Sequence, residues 1–113
     1  MSVSVSIIVP CYNVAAYLDQ CMESLTGQSM EDIEIICVND GSSDRTAEIL
    51  REWRNRDRRV RIIDQKNSGV SVARNSGMEA AAGTYIGFVD PDDMVERNMF
   101  QRLFTAAAEK DAD

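Results

Sequence analysis

The chain has 113 residues, 44% of them apolar, which is enough to bury one small core and predicts a single domain over residues 1–113. Its formal net charge of -7 disfavours nucleic acid as a partner, because a polyphosphate backbone is bound by a basic surface. The sequence has no histidine, so histidine-based triads, Cys-His pairs and His-ligated zinc are excluded and acid–base chemistry falls to carboxylates.

The three cysteines predict reduced thiols rather than a disulfide framework. They are odd in number, lack the spacing of a zinc site, and include Cys37 within an apolar run. The N-terminus has no charged segment ahead of a long apolar one, and no apolar run reaches the roughly 20 residues of a membrane helix. These features predict a cytoplasmic protein.

Short β-branched or aromatic runs alternate with helical patterns along the chain. The runs are typical of strands covered on both faces, and they are Ser4–Val9, Ile33–Val38, Val60–Ile63 and Tyr85–Val89. The first helical pattern has Asn13 as its predicted N-cap and Gly27 as its end. A second pattern follows Ser43 or Asp44.

The third helical pattern runs from about Val70 to Ala82, with Gly83 as its predicted stop. Gly77 inside this helix costs about 1 kcal/mol relative to alanine, so we expect it to approach the sheet closely. A fourth amphipathic pattern begins at about Arg97.

Repeated strand–helix alternation predicts an α/β fold, namely a Rossmann-like, mostly parallel sheet with right-handed crossovers and helices on both faces. In such sheets ligands bind outside the carboxyl ends of the strands. Polar groups follow each predicted strand: Pro10–Asn13, Asn39–Ser42, Asp64–Asn67 and Asp90–Asp93. A functional site is therefore expected at one edge of the sheet.

The sequence FVDPDD, Phe88 to Asp93, places three carboxylates in four residues. Asp-Pro-Asp-Asp is suited to a β-turn with solvated charges. Two unit charges about 4 Å apart repel by about 4 kcal/mol at an effective dielectric near 20, so the same residues are also suited to holding a cation. The residues alone leave a turn and a metal or phosphate site both open.

Three other features have two interpretations each. Asp40-Gly41 is a tight turn or a ligand-binding carboxylate, but NAD binding is excluded because the first loop, PCYNVA, lacks the required glycines. Arg74 is a solvated arginine or, if its helix faces the site, a partner for a base or phosphate. The run Arg51–Arg61 holds six of the twelve basic residues and is a solvated helix end or a surface for anionic lipid headgroups.

Four segments stand in a specific order along the chain: VSIIVPCYN, IICVNDGSSDRT, NSGVSVARNSGMEAAAG and YIGFVDPDD. Together they resemble the nucleotide-binding half of a family 2 glycosyltransferase with the GT-A fold. The resemblance covers nearly every position from Val5 to about Met94. Each segment is weak alone, whereas four in this order are specific.

The resemblance implies a site for a nucleotide-sugar donor. Pro10, Tyr12 and Asn13 belong to the loop that lies against the nucleoside. Asp40 resembles the carboxylate that accepts a hydrogen bond from the base, usually uracil, and Arg74 is similar to the arginine that closes the nucleotide pocket.

The resemblance also implies a divalent metal cofactor, Mg²⁺ or Mn²⁺. Asp90 and Asp92 match the Asp-x-Asp pair, with Asp90 near the ribose and metal and Asp92 coordinating the ion that bridges the two phosphates. Asp93 would hold water or sugar. Hard divalent ions prefer oxygen ligands, and such an ion neutralises the charge on the leaving diphosphate.

Two features depart from the family. Many relatives have Asp-Asp before the Gly-Ser turn, whereas this chain has Asn39, so base binding depends on Asp40. The family's acceptor site and catalytic base lie in a later part of the domain, so this segment is expected to bind donor only and to be inactive alone. Asp93, Glu96 and Asp111 are available acids, with no basis for choosing one as the base.

The predicted activity of the parent enzyme is the inverting, metal-dependent transfer of a sugar, in particular from a UDP-sugar, to a hydroxyl of a glycan, lipid or polysaccharide acceptor. The alternative is a non-catalytic nucleotide- or partner-binding module of the same fold. Two other classes of protein fit the loop PCYNVA poorly. A nucleotidyltransferase needs a glycine-rich basic loop after the first strand, and a receiver-type signalling domain needs an acidic pair there. Peripheral association with the inner face of the membrane and self-association through uncovered sheet edges and apolar surface are further predictions.

Overall fold

The computed structural model describes residues 3–111 and shows eight elements in strand–helix alternation. The strands are β1 (Val5–Cys11), β2 (Ile33–Asp40), β3 (Val60–Gln65) and β4 (Tyr85–Phe88). The helices are α1 (Ala15–Thr26), α2 (Thr46–Arg56), α3 (Val70–Ala80) and α4 (Met99–Asp111). The domain predicted over residues 1–113 extends beyond the described residues at both ends.

The four strands form one parallel sheet in the order β3-β2-β1-β4. β1 lies inside the sheet and pairs with β2 from Val5↔Ile33 to Cys11↔Asn39. On its other side it pairs with β4, beginning at Val5↔Tyr85. The prediction of a Rossmann-like parallel sheet is confirmed, and the carboxyl ends of all four strands share one edge.

Successive side chains of β1 point into two different cores, because side chains alternate across a strand. Ile7 and Val9 pack with α1, α2 and α4 in the larger core. Ile8 packs with Ala73 of α3 in the smaller one. Three helices therefore cover one face of the sheet and one covers the other, which confirms the prediction of helices on both faces.

Three strands continue further at their carboxyl ends than predicted. β1 reaches Cys11, β2 reaches Asp40 and β3 reaches Gln65. Polar residues at these positions stay in the sheet because their backbones remain paired, Cys11 with Asn39 and Asp40 with Gln65. The polar ends that were predicted as loops are thus held in strand register.

The prediction that Asn13 caps α1 is wrong. The helix begins at Ala15, and the preceding residue, Val14, has no side-chain cap. Instead Val14 N donates to Thr46 Oγ1 at 3.0 Å and Ala15 N donates to Asp44 Oδ2 at 3.2 Å. N–H groups at the start of α1, which need partners from outside the helix, are thus satisfied by Thr46 at the start of α2 and by Asp44 in the loop before it.

Three glycines fulfil different roles. Gly27 follows α1 as predicted. Gly83 is not the stop of α3, which ends three residues earlier; a Cβ on Gly83 would lie 2.6 Å from Ser6 N, so close approach to β1 requires glycine. Gly77 has the predicted packing role, because a Cβ there would lie 2.5 Å from Ile8 Cγ2. The fourth helix begins two residues later than predicted.

The arginine-rich segment is only partly solvated. Arg59 pairs with Asp57 at 2.8 Å, and Arg61 donates to the buried carboxylate of Glu34 at 2.7 Å. Four exposed arginines of this segment form no ion pair within the described part of the chain: Arg51, Arg54, Arg56 and Arg58. Within residues 3–111, no helix combines the length and apolar character that crossing a bilayer requires.

Within residues 3–111, β4 is an edge strand of the sheet and pairs with β1 alone. Two of its side chains, Ile86 and Phe88, are large, apolar and 42% and 46% exposed. An edge strand presents unpaired N–H and C=O groups, and an apolar edge invites pairing with another chain.

We expect the isolated chain to self-associate through β4. Sedimentation velocity at rising concentration should show species larger than the monomer, and Ile86→Lys should shift the distribution towards monomer, because a lysine on an edge strand opposes pairing. Val72→Lys, on the exposed face of α3, is the control and should leave the distribution unchanged. A monomer at every concentration would contradict the prediction.

Candidate functional site

A cleft of about 300 Å³ lies over the carboxyl ends of β1 and β2 and the start of α3. Its lining is mostly apolar with a few polar groups, a composition typical of small-molecule sites. The structure brings three predicted site residues, Pro10, Tyr12 and Asp40, together in this cleft. The other lining residues are Cys11, Asn67, Gly69, Val70 and Ala73.

Tyr12 and Val70 contribute exposed apolar surface to the cleft. The Tyr12 side chain follows the end of β1 and is 52% exposed, and Val70 begins α3 and is 51% exposed. Cys11, by contrast, is fully buried. An exposed aromatic ring beside aliphatic surface is suited to stacking on a flat ring system such as a nucleobase.

The carboxylate of Asp40 is buried and already accepts three hydrogen bonds. Oδ1 accepts from Gln65 Nε2 at 2.9 Å and Ser68 N at 2.8 Å, and Oδ2 accepts from Gly69 N at 3.0 Å. Burial alone would raise the pKa of Asp40, but these donors lower it below its ordinary value. A carboxylate has about four acceptor positions, so an acceptor position remains for a ligand.

Asp40 therefore organises the β3–α3 loop as well as lining the cleft. Asn67 Nδ2 adds a hydrogen bond to the Asp40 carbonyl at 3.1 Å. Gly41 has φ 70°, and a Cβ on it would lie 2.6 Å from Asn67 N. Gln65, Ser68 and Gly69 were not identified as site residues from the sequence, because their role depends on contacts to a residue more than twenty positions away.

Asn13 does not line the cleft, although its sequence neighbour Tyr12 does. Its side-chain Oδ1 accepts hydrogen bonds from Ser43 N at 2.8 Å and Asp44 N at 3.3 Å. Asn13 is therefore engaged with the β2–α2 loop rather than with the space where a ligand would bind.

Arg74 and Asp90 lie together at the next part of the same edge. Arg74 Nη2 is 3.5 Å from Asp90 Oδ1, and both side chains are substantially exposed. Arg74 Nε is buried and has no hydrogen-bond partner within the described residues. These two residues line a second cleft of about 370 Å³ together with Phe88, Val89, Asp93, Met94, Val95 and Met99.

The three aspartates that follow β4 converge. Asp90, Asp92 and Asp93 each present a carboxylate oxygen, and these oxygens all lie within 4.8 Å of one another at the surface. Asp93 N also donates to Asp90 O at 3.0 Å, so the predicted β-turn is present in the same residues. Three hard oxygen donors are the ligand type that Mg²⁺ and Mn²⁺ prefer, so the donor set fits such an ion.

Asn39, the departure from the family pattern, has a structural role. Its Nδ2 donates to Asp64 Oδ1 at 3.0 Å, and its Oδ1 accepts from Ser42 N at 3.2 Å. A carboxylate at residue 39 would face Asp64 without a proton to donate.

Gln28 holds the segment between the acidic cluster and α4. Its Nε2 donates to Glu96 O at 2.6 Å, and its Oε1 accepts from Phe100 N at 3.2 Å. The sequence offers no signal for this role, since Gln28 is 68 residues from Glu96. Of the three acids named as available for the role of catalytic base, Asp93 lies in the cluster, Glu96 lies just after it, and the side chain of Asp111 lies outside the described part of the chain.

The three cysteines are free and buried, in agreement with the prediction of reduced thiols. Burial, together with the neighbouring Cys11 and then Asp93, raises the pKa of Cys21 to about 12. A hydrogen bond with Cys11 and burial raise the pKa of Cys37. Cys21 and Cys37 are therefore protonated and unreactive at neutral pH.

Comparison with known proteins gives one consistent family. The profile described as Glycosyl transferase family 2 matches residues 6–113. The uncharacterized glycosyltransferase EpsJ of Bacillus subtilis (strain 168) is 54% identical over 109 residues, which cover 96% of this chain and 32% of EpsJ. Glycosyltransferase GlyA of Streptococcus pneumoniae serotype 4 is 42% identical over 109 residues, covering 96% of this chain and 16% of GlyA.

Two solved structures have the same fold as this chain. S. aureus TarS 1-349 in complex with UDP-GlcNAc superposes with a TM-score of 0.83 at 32% identity, covering 96% of this chain and 31% of that one. The mannosyltransferase PcManGT from Pyrobaculum calidifontis, in complex with GDP-Man and Mn²⁺, has a TM-score of 0.76 at 22% identity and shows the shared fold, over 83% of this chain and 29% of that one.

The parallel sheet, with its cleft and acidic cluster at one edge, defines an α/β domain of the GT-A type. The chain belongs to glycosyl transferase family 2, which confirms the resemblance drawn from the sequence. It spans about a third or less of the length of EpsJ and GlyA.

We expect Asp40→Asn to loosen the β3–α3 loop and lower stability by about 1–3 kcal/mol, because the amide keeps one acceptor oxygen for three donors. Amide hydrogen exchange at Ser68 and Gly69 should accelerate, and urea denaturation should report the lost stability. The pKa of Asp40 in the folded protein is lower than that of an ordinary aspartate. In wild type, the slow exchange at Ser68 and Gly69 should therefore persist above the ordinary pKa and be lost as the pH falls through the lowered pKa of Asp40.

Asp93→Asn is the matched control for this prediction, since Asp93 is an exposed acid at the same edge that is not bonded to the loop. Unchanged exchange at Ser68 and Gly69 in Asp40→Asn would show that the carboxylate does not hold the loop.

Proposed function

We propose that this chain is the donor-binding part of a glycosyltransferase. The parent enzyme would transfer a sugar from a nucleotide-sugar, in particular a UDP-sugar, to a hydroxyl of a glycan, lipid or polysaccharide acceptor. One observation carries the proposal: the Asp40 cleft and the acidic cluster lie at the same edge of the sheet. Two neighbouring residues of α3 link them, since Ala73 lines the Asp40 cleft and Arg74 lines the second cleft beside the acidic cluster. Family membership and the TarS complexes with UDP and UDP-GlcNAc support the choice of donor.

In this proposal the first cleft binds the nucleoside. Pro10 and Tyr12 provide the surface against the base, and the remaining acceptor position of Asp40 takes a hydrogen bond from a base N–H. A uracil N3–H is a donor of this kind. Arg74, whose buried Nε has no hydrogen-bond partner among residues 3–111, would hold a phosphate or close the pocket.

The acidic cluster would hold the metal cofactor, Mg²⁺ or Mn²⁺, mainly through Asp90 and Asp92. When bound, the ion would supply positive charge that neutralises the departing nucleoside diphosphate. Asp90 would also lie near the ribose, because it pairs with Arg74, whose neighbour in sequence, Ala73, lines the nucleoside cleft. Asp93 would hold water or sugar.

The acceptor site and the base that deprotonates the acceptor are proposed to lie in parts of the longer enzyme that this chain does not match, and inversion at the anomeric carbon is proposed from the family resemblance. The isolated chain would then be inactive in transfer. A non-catalytic nucleotide- or partner-binding module of the same fold is the second candidate. We propose a cytoplasmic location for either.

Isothermal calorimetry with UDP, GDP and Mn²⁺ tests the donor site. We expect UDP binding that requires Mn²⁺, and an affinity about tenfold or more lower in Asp92→Ala, since a hard cation bridging carboxylate and phosphates depends on its oxygen ligands. Glu109→Ala removes an exposed acid of α4 away from the cluster and should bind as wild type. Binding that is independent of the metal, or none by a folded sample, would count against the proposal.

Membrane association is proposed for the arginines of α2 and the turn that follows it, away from the sheet edge that carries the two clefts. Arg51 and Arg54 lie on α2 and Arg58 follows its end; all three are exposed and form no ion pair within residues 3–111. Each arginine near an anionic bilayer contributes about 1 kcal/mol.

Cosedimentation with phosphatidylglycerol vesicles should exceed that with phosphatidylcholine vesicles and weaken with salt. Binding should fall about fivefold for each arginine changed to glutamate in Arg51→Glu, Arg54→Glu and Arg58→Glu. Arg102→Glu, an exposed arginine of α4, is the control. Equal binding to both vesicles would rule the surface out.

A further inference from the structure

The loop between β1 and α1 has a backbone conformation that needs outside support. Asn13 has φ 51°, in the left-handed region, and within the described residues it is the non-glycine residue with positive φ. Asparagine tolerates this conformation better than most residues, although it is still uncommon. The next residue towards the N-terminus is Tyr12, the exposed ring of the nucleoside cleft.

Asn13 is bonded to the β2–α2 loop through both backbone and side chain. Its N donates to Ser42 Oγ at 3.0 Å. Its Oδ1 accepts from Ser43 N at 2.8 Å and from Asp44 N at 3.3 Å, and lies 3.4 Å from Ser43 Oγ. Hydrogen bonds thus run in both directions between two loops about thirty residues apart in sequence.

The next residues continue the same connection. Val14 N donates to Thr46 Oγ1, and Ala15 N donates to Asp44 Oδ2. Asp44 Oδ1 in turn accepts from Thr46 N at 2.9 Å. We call the set Asn13, Ser42, Ser43, Asp44 and Thr46 the loop clasp.

The loop clasp lies beside the cleft without lining it. On one side it adjoins Tyr12, and on the other it continues through Gly41 to Asp40. Gly41 in turn packs against the backbone of Asn67, so the loops after β1, β2 and β3 form one connected rim.

We infer that Asn13 is a positioning residue for the nucleoside, a role that rests on the proposed function. Its left-handed backbone and its Oδ1 together fix the direction in which Tyr12 leaves β1, so that ring and Asp40 face one cleft before a ligand arrives. Immobilising a side chain on binding costs conformational entropy, and a loop that is ordered beforehand avoids this cost. Asn13 affects affinity through Tyr12 and does not touch the ligand.

Three substitutions test the two properties of Asn13, its left-handed backbone and its acceptor Oδ1. Asn13→Asp keeps an acceptor Oδ and tolerates positive φ; Asn13→Gly keeps the backbone conformation but removes the acceptor; Asn13→Ala loses both. Asn75→Ala, at an exposed position of α3, is the control for asparagine loss.

The measurements are calorimetry of UDP with Mn²⁺ and amide exchange at Ser43 and Asp44. We expect Asn13→Gly and Asn13→Ala to bind UDP about tenfold more weakly and to exchange both amides faster, whereas Asn13→Asp rescues both properties to near the wild-type values. Thermal unfolding identifies any variant that fails to fold, and Asn13→Asp and Asn13→Gly then decide the question.

The outcomes distinguish the inference from the proposed function. If wild type binds UDP and Asn13→Gly binds it equally well, the positioning role of Asn13 is overturned and the proposed function is kept. If wild type does not bind UDP, the proposed function is overturned, and the role of Asn13 in nucleoside binding is overturned with it. Fast exchange of Ser43 and Asp44 in wild type would overturn the loop clasp itself.

Discussion

Parallel pairing in a fixed register is the constraint on which the site depends. The ladder between β1 and β2 is unbroken to Cys11↔Asn39, and the ladder between β2 and β3 reaches Asp40↔Gln65. Because side chains alternate across a strand, a slip of one residue in β2 would turn Asp40 to the opposite face of the sheet. The buried apolar faces on both sides of the sheet prevent such a slip, so the core fixes where the cleft is.

Hydrogen bonds between loops then convert a sheet edge into a shaped site. Asp40 bonds the loop after β3, and Asn13 bonds the loop after β2. Gln28 holds the segment that follows the acidic cluster. Each of these polar side chains satisfies backbone N–H or C=O groups that a loop would otherwise leave unpaired. The same contacts that satisfy the backbone also orient the groups that face a ligand.

The architecture was predictable from local pattern because strands and helices repeat a periodicity. Apolar runs located all four strands, and the close approach of Gly77 followed from its cost in a helix. The acidic cluster was also predictable, since its members are contiguous in sequence. Asn13 was predicted to cap α1 because local propensity favours an asparagine before a helix, whereas partners thirty residues away in the β2–α2 loop decide its hydrogen bonds. Gln65 and Ser68 went unrecognised for the same reason.

The pair formed by Asn39 and Asp64 has a consequence for sequence variation. The amide of Asn39 donates across β2 and β3 to a carboxylate and also accepts from the turn that follows. An aspartate in its place would set two negative oxygens in contact unless residue 64 lost its charge as well. The hydrogen bond therefore constrains residues 39 and 64 together, since two ionised acids at these positions would repel.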